Sequence, residues 1–271
     1  MDLHFAIFPK PKSATYKAHH PNLIWLPRTM DGEVKGFIPC LFMPCNYETD
    51  KIMLYFHGNS EDLGGVEQFF IPLRDAWKVH VLAVEYPSYG LYSDGPALSE
   101  DAIKEDAEMV YNCLQTQCAL KEDQIIIFGR SMGTGPAIHL ASKYHPLMLY
   151  LFSPFKSIRE AAGNLTFGWL ASLVKERFRN IDHIGKVKCP VLTVHGKSDK
   201  LVPVSHSEEL MDKCTSDKKK LETPKDMSHG EYDLFADLIY PLDKFMDEHK
   251  LSPSPNSKVD IDLFYAFKYK N

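Results

Sequence analysis

The sequence has 271 residues, of which 44 % are hydrophobic and 25 % are charged. A chain of this length and composition can bury enough apolar surface for one large, well-filled domain. Its formal net charge is -5 at pH 7, so it lacks the basic excess that a general nucleic-acid binder needs to neutralise phosphates. We therefore expect a globular protein without a nucleic-acid partner.

The amino-terminal segment MDLHFAIFPKPKS predicts a cytoplasmic location. Its apolar stretch of about six residues is too short for a signal peptide or a membrane span. Asp2 occupies the position where N-myristoylation requires glycine. The six cysteines are spread along the chain, as expected for reduced thiols, and neither Cys40 with Cys45 nor Cys113 with Cys118 has the further ligands of a zinc site.

The first fifty residues predict a small antiparallel unit. The apolar runs LIWLPR and GFIPCLFMPC flank the segment TMDGEVK, whose Asp31 and Gly32 form a hairpin signal. We expect these two runs to pair as neighbouring strands ahead of the main sheet.

From residue 51 onward, short apolar runs alternate with helical patterns. The runs predict buried strands at KIMLYFHGN (51–59), VHVLAVEYP (79–87), QIIIFG (124–129), LMLYLFSP (147–154) and PVLTVHG (190–196). Helices are predicted after the first of these strands and at 99–115, capped by Ser99, at 132–144, near 204–213 and at 231–249. Continuous apolar strands separated by helices indicate a mostly parallel sheet with helices on both faces.

The pentapeptide GRSMG, residues 129–133, places Ser131 between a predicted strand and a predicted helix. This is the context of a nucleophile elbow, in which glycine is needed two residues before and two residues after the serine because strand and helix meet there. The alternative is that Ser131 only caps the helix. The strand and helix on either side favour the nucleophile.

A serine hydroxyl needs a base to take its proton and an acid to orient that base. Asp199 follows the predicted strand PVLTVHG, and His229 precedes the last predicted helix, so acid and base come in the order expected after Ser131. Loops at the carboxyl ends of parallel strands lie on one edge of a sheet, where the three side chains can meet. No metal or organic cofactor is required.

Other acids and histidines fit this chemistry less well. Asp94 and Glu85 precede Ser131 and would break the order, and Asp94 lies in a turn. His57 and His195 each precede a glycine at the end of a predicted strand, where we expect the imidazole to hydrogen-bond the backbone.

Acyl transfer also needs two N–H donors for the oxyanion of the tetrahedral intermediate. Met132 should supply one, because it follows the nucleophile at a helix N-terminus. The loop after the strand KIMLYF should supply the other, which we assign to Asn59, with Ser60 as the alternative.

Together these motifs resemble the α/β-hydrolase superfamily. The segments YFHGNSEDLGG, VEYPSYGLYSDGP and CPVLTVHGKSDKLVPVSHSEEL are more narrowly similar to the α/β-hydrolase-domain-containing group 17, cytosolic protein depalmitoylases, and to bud-emergence-type hydrolases. The likeness covers about residues 5–245 and implies Ser131 as nucleophile, His229 as base and Asp199 as acid. This chain has no cysteine before Cys40, where that group carries a lipidated cysteine-rich segment, and it has Arg130 where the group usually has glutamine.

The resemblance implies a serine hydrolase that cleaves acyl esters or thioesters, with palmitoylated protein as the leading substrate. Lysophospholipid or monoacylglycerol hydrolysis, peptide hydrolysis and a non-catalytic scaffold are the alternatives. It also implies one hydrolase domain over residues 1–250, with a short cap insertion at about 155–188. The Pro- and Ser-rich segment LSPSPNSKVD predicts a carboxyl-terminal tail over 251–271. The enzyme would be cytoplasmic and could contact membrane surfaces transiently.

The sequence also makes predictions for the cap, for Arg130 and for the carboxyl-terminal segment. In the cap, FGWLASLVKERF (167–178) carries an apolar face that packs in the core or lines an acyl site; an acyl site would favour medium or long acyl chains. Arg130 is expected to pair with Glu85 or a nearby aspartate, the alternative being an anionic substrate group. The segment FYAFKYK (264–270) is expected to pack on the domain or to be disordered, with a membrane surface as the alternative.

Overall fold

The computed structural model describes residues 11–165, 175–254 and 258–268, and within them eight strands form one sheet in the order β1-β2-β4-β3-β5-β6-β7-β8. The strands are β1 Leu23–Met30, β2 Glu33–Met43, β3 Ile52–Phe56, β4 His80–Val84, β5 Ile125–Arg130, β6 Met148–Phe152, β7 Val191–Val194 and β8 Lys219–Glu222. From β4 through β8 all neighbouring strands are parallel, as the alternating pattern predicts.

The amino-terminal portion is antiparallel. Strand β1 pairs with β2, and β2 joins the main sheet antiparallel to β4. At the tip of the hairpin Asp31 has φ 52° and Gly32 has φ 79°. Two successive positive φ angles match the right-handed twist of the strands, which is why Asp-Gly favours this turn. The predicted hairpin is therefore confirmed.

The described helices follow the strands as predicted, with added short segments. The helices are α1 Leu63–Trp77, α2 Glu100–Thr116, α3 Thr134–Ala141, α4 Ile158–Leu165, α5 Asn180–His183, α6 Ser205–Lys213, α7 Tyr240–His249 and α8 Asp262–Tyr265. The hydroxyl of Ser99 accepts a hydrogen bond from the N–H of Ala102, which confirms Ser99 as the cap of α2. A π-helical segment, Leu234–Ile239, leads directly into α7.

The sheet is buried on both faces. In β3, Ile52, Leu54 and Phe56 belong to one hydrophobic cluster, together with residues of α2, α3 and α6. Met53 and Tyr55 point the other way, into a second cluster with residues of α1 and α7. This alternation explains why the central strands appear in the sequence as continuous apolar runs.

Strand β8 has no counterpart among the predicted strands. Its sequence, KKLE, has no β-branched residue, and none of its four residues is buried. It lies at the edge of the sheet beside β7, where only one side of its backbone is paired. Lysines are common on such edges because they discourage pairing with another chain.

The carboxyl-terminal segment packs back onto the domain. The ring of Phe264 is fully buried and stacks on Phe42, with ring centroids 4.1 Å apart. The carbonyl oxygen of Phe267 accepts a hydrogen bond of 2.8 Å from the N–H of Trp25 in β1. For residues 264–267 the expected packing is confirmed. Within the described part of the chain, no helix has the length and apolar composition needed to cross a membrane.

Candidate active site

Ser131 lies at a sharp turn between β5 and α3, where its backbone has φ 49°. A positive φ is uncommon for serine and is typical of the strained elbow that exposes a nucleophile. A Cβ on Gly133 would lie 2.0 Å from the carbonyl oxygen of Phe56, and one on Gly129 would lie 2.5 Å from the carbonyl oxygen of Gly133. Both glycines are therefore required by close backbone contacts rather than by backbone flexibility alone.

Ser131, His229 and Asp199 form a continuous hydrogen-bonded chain. The Nε2 of His229 lies 2.9 Å from the Oγ of Ser131, and its Nδ1 lies 2.7 Å from Oδ2 of Asp199. Since Nδ1 faces a carboxylate, the proton of a neutral imidazole belongs there, and Nε2 is left as the acceptor for the serine hydroxyl. This is the arrangement that a serine nucleophile and its base require.

The carboxylate of Asp199 is held by several donors. Its Oδ1 accepts from the N–H groups of Leu201 and Val202, at 2.9 and 2.8 Å. Its Oδ2 also lies 3.2 Å from Nε2 of the fully buried His195. Burial alone would raise the pKa of Asp199, but hydrogen bonds from His195 and His229 outweigh it and hold the pKa well below its usual range. The carboxylate therefore stays ionised where it faces Nδ1 of His229.

The contact between His195 and Asp199 was not anticipated from the sequence. The prediction that His195 hydrogen-bonds the backbone is confirmed, since Nε2 lies 2.7 Å from the carbonyl oxygen of Val202. Its Nδ1 lies 2.6 Å from the hydroxyl of Ser207, so the ring is fixed at both nitrogens. The i, i+4 spacing of His and Asp directly after a strand was the signal available for this contact.

His57 also serves the scaffold. Its Nδ1 lies 2.8 Å from the carbonyl oxygen of Gly58, which confirms the predicted backbone contact. Its Nε2 lies 3.0 Å from the buried carboxylate of Glu85, which also accepts from the hydroxyl of Tyr16 and the N–H of Leu63. The carboxylate of Glu85 is therefore bound within the scaffold that supports the loop after β3.

Asn59 and Ser60 lie on this loop beside the elbow, and both line the same cavity as Ser131, Met132 and His229. The side-chain oxygen of Asn59 accepts a 2.8 Å hydrogen bond from the hydroxyl of Tyr89, which anchors the loop. The backbone of Ser60 is left-handed, with φ 65°. The structure therefore brings the two predicted donor segments to the same side of the serine.

The cavity next to Ser131 has a volume of about 370 Å³, which is within the range of small-molecule sites. Part of its lining is polar and charged and consists of the loop from Gly58 to Glu61 together with Arg130. Seven further lining residues are apolar: Met132, Phe155, Ile158, Ala161, Ala162, Leu201 and Val202. We call these seven residues the apolar wall.

Most of the apolar face predicted for the cap lies outside the described residues, namely Phe167, Leu170, Ala171 and Val174. Phe178, the last member of that face, is buried in the core, where its ring would meet a Cβ placed on Gly135.

Arg130 has a different partner from the one expected. Its guanidinium forms an ion pair with Glu61, whereas Glu85 is bound to His57. The expectation failed because Glu85 lies fully buried behind the loop, while Glu61 lies on the loop at the cavity. Glu61 and Arg130 lie far apart in the sequence, so no local pattern indicates this pair.

The sequence of the chain is similar to those of several known hydrolases. A family model described as "Serine aminopeptidase, S33" matches residues 159–232, a stretch that contains Asp199 and His229. The α/β-hydrolase domain-containing protein 17C of Xenopus tropicalis is 31 % identical over 230 residues, which cover 85 % of this chain and 70 % of that protein. The chain belongs to the α/β-hydrolase domain-containing protein 17 family. Human protein 17B is 29 % identical over 211 residues, 78 % of this chain and 71 % of that protein.

The fold of this family member agrees with solved α/β-hydrolases. The esterase Pf2001 of Pyrococcus furiosus superposes with a TM-score of 0.63 at 18 % identity, covering 84 % of this chain and 91 % of that one. The predicted α/β-hydrolase fold is confirmed, and the protein is a serine hydrolase. Within residues 11–165, 175–254 and 258–268, no cluster of His, Cys, Asp and Glu is arranged to hold a metal ion.

Proposed function

We propose that this α/β-hydrolase domain-containing 17 family member is a thioesterase that removes long acyl groups from protein cysteines. The observation that carries the proposal is the apolar wall, which lines the same cavity as the hydrogen-bonded Ser131. The resemblance to cytosolic depalmitoylases supports the same substrate class. An acyl chain bound along this wall would bring its carbonyl carbon to Ser131.

The first step is acylation of the enzyme. The Oγ of Ser131 attacks the thioester carbonyl while Nε2 of His229, 2.9 Å away, takes the hydroxyl proton. Asp199 stabilises the imidazolium that forms, because its ionised carboxylate faces Nδ1 at 2.7 Å. The imidazolium then protonates the departing cysteine sulfur, which leaves an acyl ester on Ser131.

The tetrahedral intermediate places a negative charge on the former carbonyl oxygen. We assign the backbone N–H groups of Met132 and Asn59 as its donors, since both residues line the cavity beside Ser131. Met132 also lies in a short 3₁₀ turn, Ser131–Gly133, that leads into α3, and the dipole of α3 favours negative charge at its start. In the second step, water attacks the acyl ester with His229 again as base, and the free fatty acid leaves.

The apolar wall predicts a preference for longer acyl chains. Burial of each methylene contributes about 0.8 kcal/mol, so kcat/KM should rise by up to about fourfold per methylene until the cavity is filled. A series of p-nitrophenyl esters from acetyl to palmitoyl tests this expectation. A steady fall in kcat/KM beyond acetyl would show that the wall does not bind the acyl group.

The proposed substrate class is tested by direct competition. Purified enzyme is given a palmitoylated cysteine peptide and a lysophospholipid at equal concentration, and the released fatty acid and the free thiol are measured. We expect faster release from the peptide, and no release from either by the Ser131→Ala protein. Faster release from the lysophospholipid would replace the depalmitoylase proposal with a lipid esterase, which uses the same three residues.

We expect the enzyme to meet its substrate at membrane surfaces. Palmitoylated cysteines hold proteins on membrane surfaces, so the enzyme would act there from the cytoplasm through transient contact with the bilayer. The acylated protein is the partner that this chemistry requires.

A further inference from the structure

One carboxylate joins the two backbone segments that flank the reacting serine. Oε2 of Glu61 accepts a hydrogen bond of 3.1 Å from the N–H of Gly58, and Oε1 pairs with the guanidinium of Arg130. Gly58 opens the loop after β3, and Arg130 directly precedes Ser131 at the end of β5. Glu61 therefore fixes its own loop and ties that loop to the elbow.

Arg130 also touches the segment that carries the base. Its guanidinium carbon lies 5.8 Å from the ring centroid of Tyr232, three residues after His229. Tyr232 is held in turn by edge-on contacts with Phe152, at 5.1 Å, and Phe69, at 6.4 Å. The guanidinium of Arg130 thus contacts the loop after β3 and the segment that follows His229, and Arg130 itself directly precedes the serine of the elbow.

The pair is shielded enough to act as a geometric restraint. The side chain of Arg130 is 14 % exposed and that of Glu61 is 33 % exposed. Removing one partner would leave the other charge partly dehydrated and uncompensated, whereas an exposed pair loses little. The Nε of Arg130 is buried without a hydrogen-bond partner in the described part of the chain. Burying an unpaired donor costs free energy, so the other contacts of Arg130 must hold the side chain in place.

A role in binding a substrate anion fits these contacts poorly. The positive charge of Arg130 is already matched by Glu61, so the pair is neutral as a whole. The contacts of Arg130 with Glu61 and Tyr232 join parts of the protein to one another.

We propose that Glu61 and Arg130 are positioning residues. They hold the loop after β3, which carries the proposed oxyanion donor Asn59, against the nucleophile elbow. This inference rests on the proposed roles of Ser131, Asn59 and Met132. A loop that drifts away from the elbow misplaces an N–H donor for the developing oxyanion. Such a donor acts mainly in the transition state, so its misplacement lowers kcat while KM stays nearly constant.

The test compares Glu61→Gln, Arg130→Gln and the double variant in the full chain, with p-nitrophenyl octanoate as substrate. Loss of a complete oxyanion donor lowers kcat by about 10²–10³, so a displaced donor should lower it by about 10–100-fold, with KM changed less than about threefold. The double variant should be no slower than the slower single variant, because both changes break the same link. Arg130→Lys keeps the charge and should recover part of kcat.

A matched control uses the exposed ion pair between Arg179 and Asp182, which lies outside the cavity lining. Asp182→Asn removes an ion pair of the same chemistry and should leave kcat and KM unchanged. All variants are compared with wild type by thermal unfolding. Arg130→Lys provides a folded reference if a glutamine variant is too unstable to purify.

The outcomes separate this inference from the proposed function. Failure of a fluorophosphonate probe to label wild-type Ser131 would refute the nucleophile assignment itself. Labelled wild type with a 10–100-fold loss of kcat in the glutamine variants, partly recovered by lysine, supports positioning. Variants with kcat within about twofold of wild type, or with an effect on KM alone, would overturn it, whatever their melting temperatures.

Discussion

Replacement of His229 by alanine should lower kcat by about a million-fold and leave the fold intact. We propose His229, which contacts Ser131, as the base. Loss of the base from such a triad costs about this much because serine cannot be deprotonated at neutral pH. The imidazole of His229 is partly exposed at the cavity, so the melting temperature should change little. Steady-state hydrolysis of p-nitrophenyl octanoate and a thermal melt measure both quantities.

His145→Ala is the matched control, since His145 is exposed and lies outside the lining of the active-site cavity. It should keep wild-type kcat and KM. A His229→Ala protein that is folded and loses less than about tenfold in kcat would mean that another group takes the serine proton.

Replacement of Asp199 by asparagine should lower kcat by about 10⁴-fold. Oδ1 accepts from the N–H groups of Leu201 and Val202, so the asparagine oxygen is held at that position. The new amide nitrogen then faces His229 Nδ1, which must accept a hydrogen bond instead of donating one. The imidazole proton moves to Nε2, and the ring can no longer take the proton of the serine.

The pH dependence of stability provides a second measurement on Asp199. Its pKa is below its usual range in the folded protein, so its ionised form stabilises the native state above about pH 4, and this contribution is lost as the pH falls further. The asparagine variant should lose less stability than wild type over that acid range. A variant with near wild-type kcat would contradict the role assigned to Asp199.

The central strands were predictable because each is buried on both faces and is therefore apolar at every position. Ile125 to Phe128 in β5 are all fully buried, and this run of β-branched and aromatic residues predicts a strand. Strand β8 was missed because an edge strand with half-exposed lysines and a glutamate lacks that pattern. Burial, rather than intrinsic strand preference, decided which strands the sequence revealed.

The meeting of Ser131, Asp199 and His229 was predictable for a different reason. Each follows or precedes a strand or helix whose position the sequence shows, and the carboxyl ends of parallel strands share one edge of the sheet. The partner of Arg130 could not be found this way. Arg130 meets Glu61 because β3 lies beside β5 although another strand and two helices separate them in the chain. Strand order of this kind comes from tertiary packing and leaves no local signal.

The proposed mechanism requires Ser131 to become acylated. Rapid acid quench during turnover of palmitoyl thioester, followed by peptide mass spectrometry, locates the acyl group directly. We predict one palmitoyl adduct, on the peptide that contains Ser131, and none in the Ser131→Ala protein. Turnover with the acyl group on a cysteine, or with no acyl-enzyme at any quench time while Ser131→Ala remains active, would contradict the proposed mechanism.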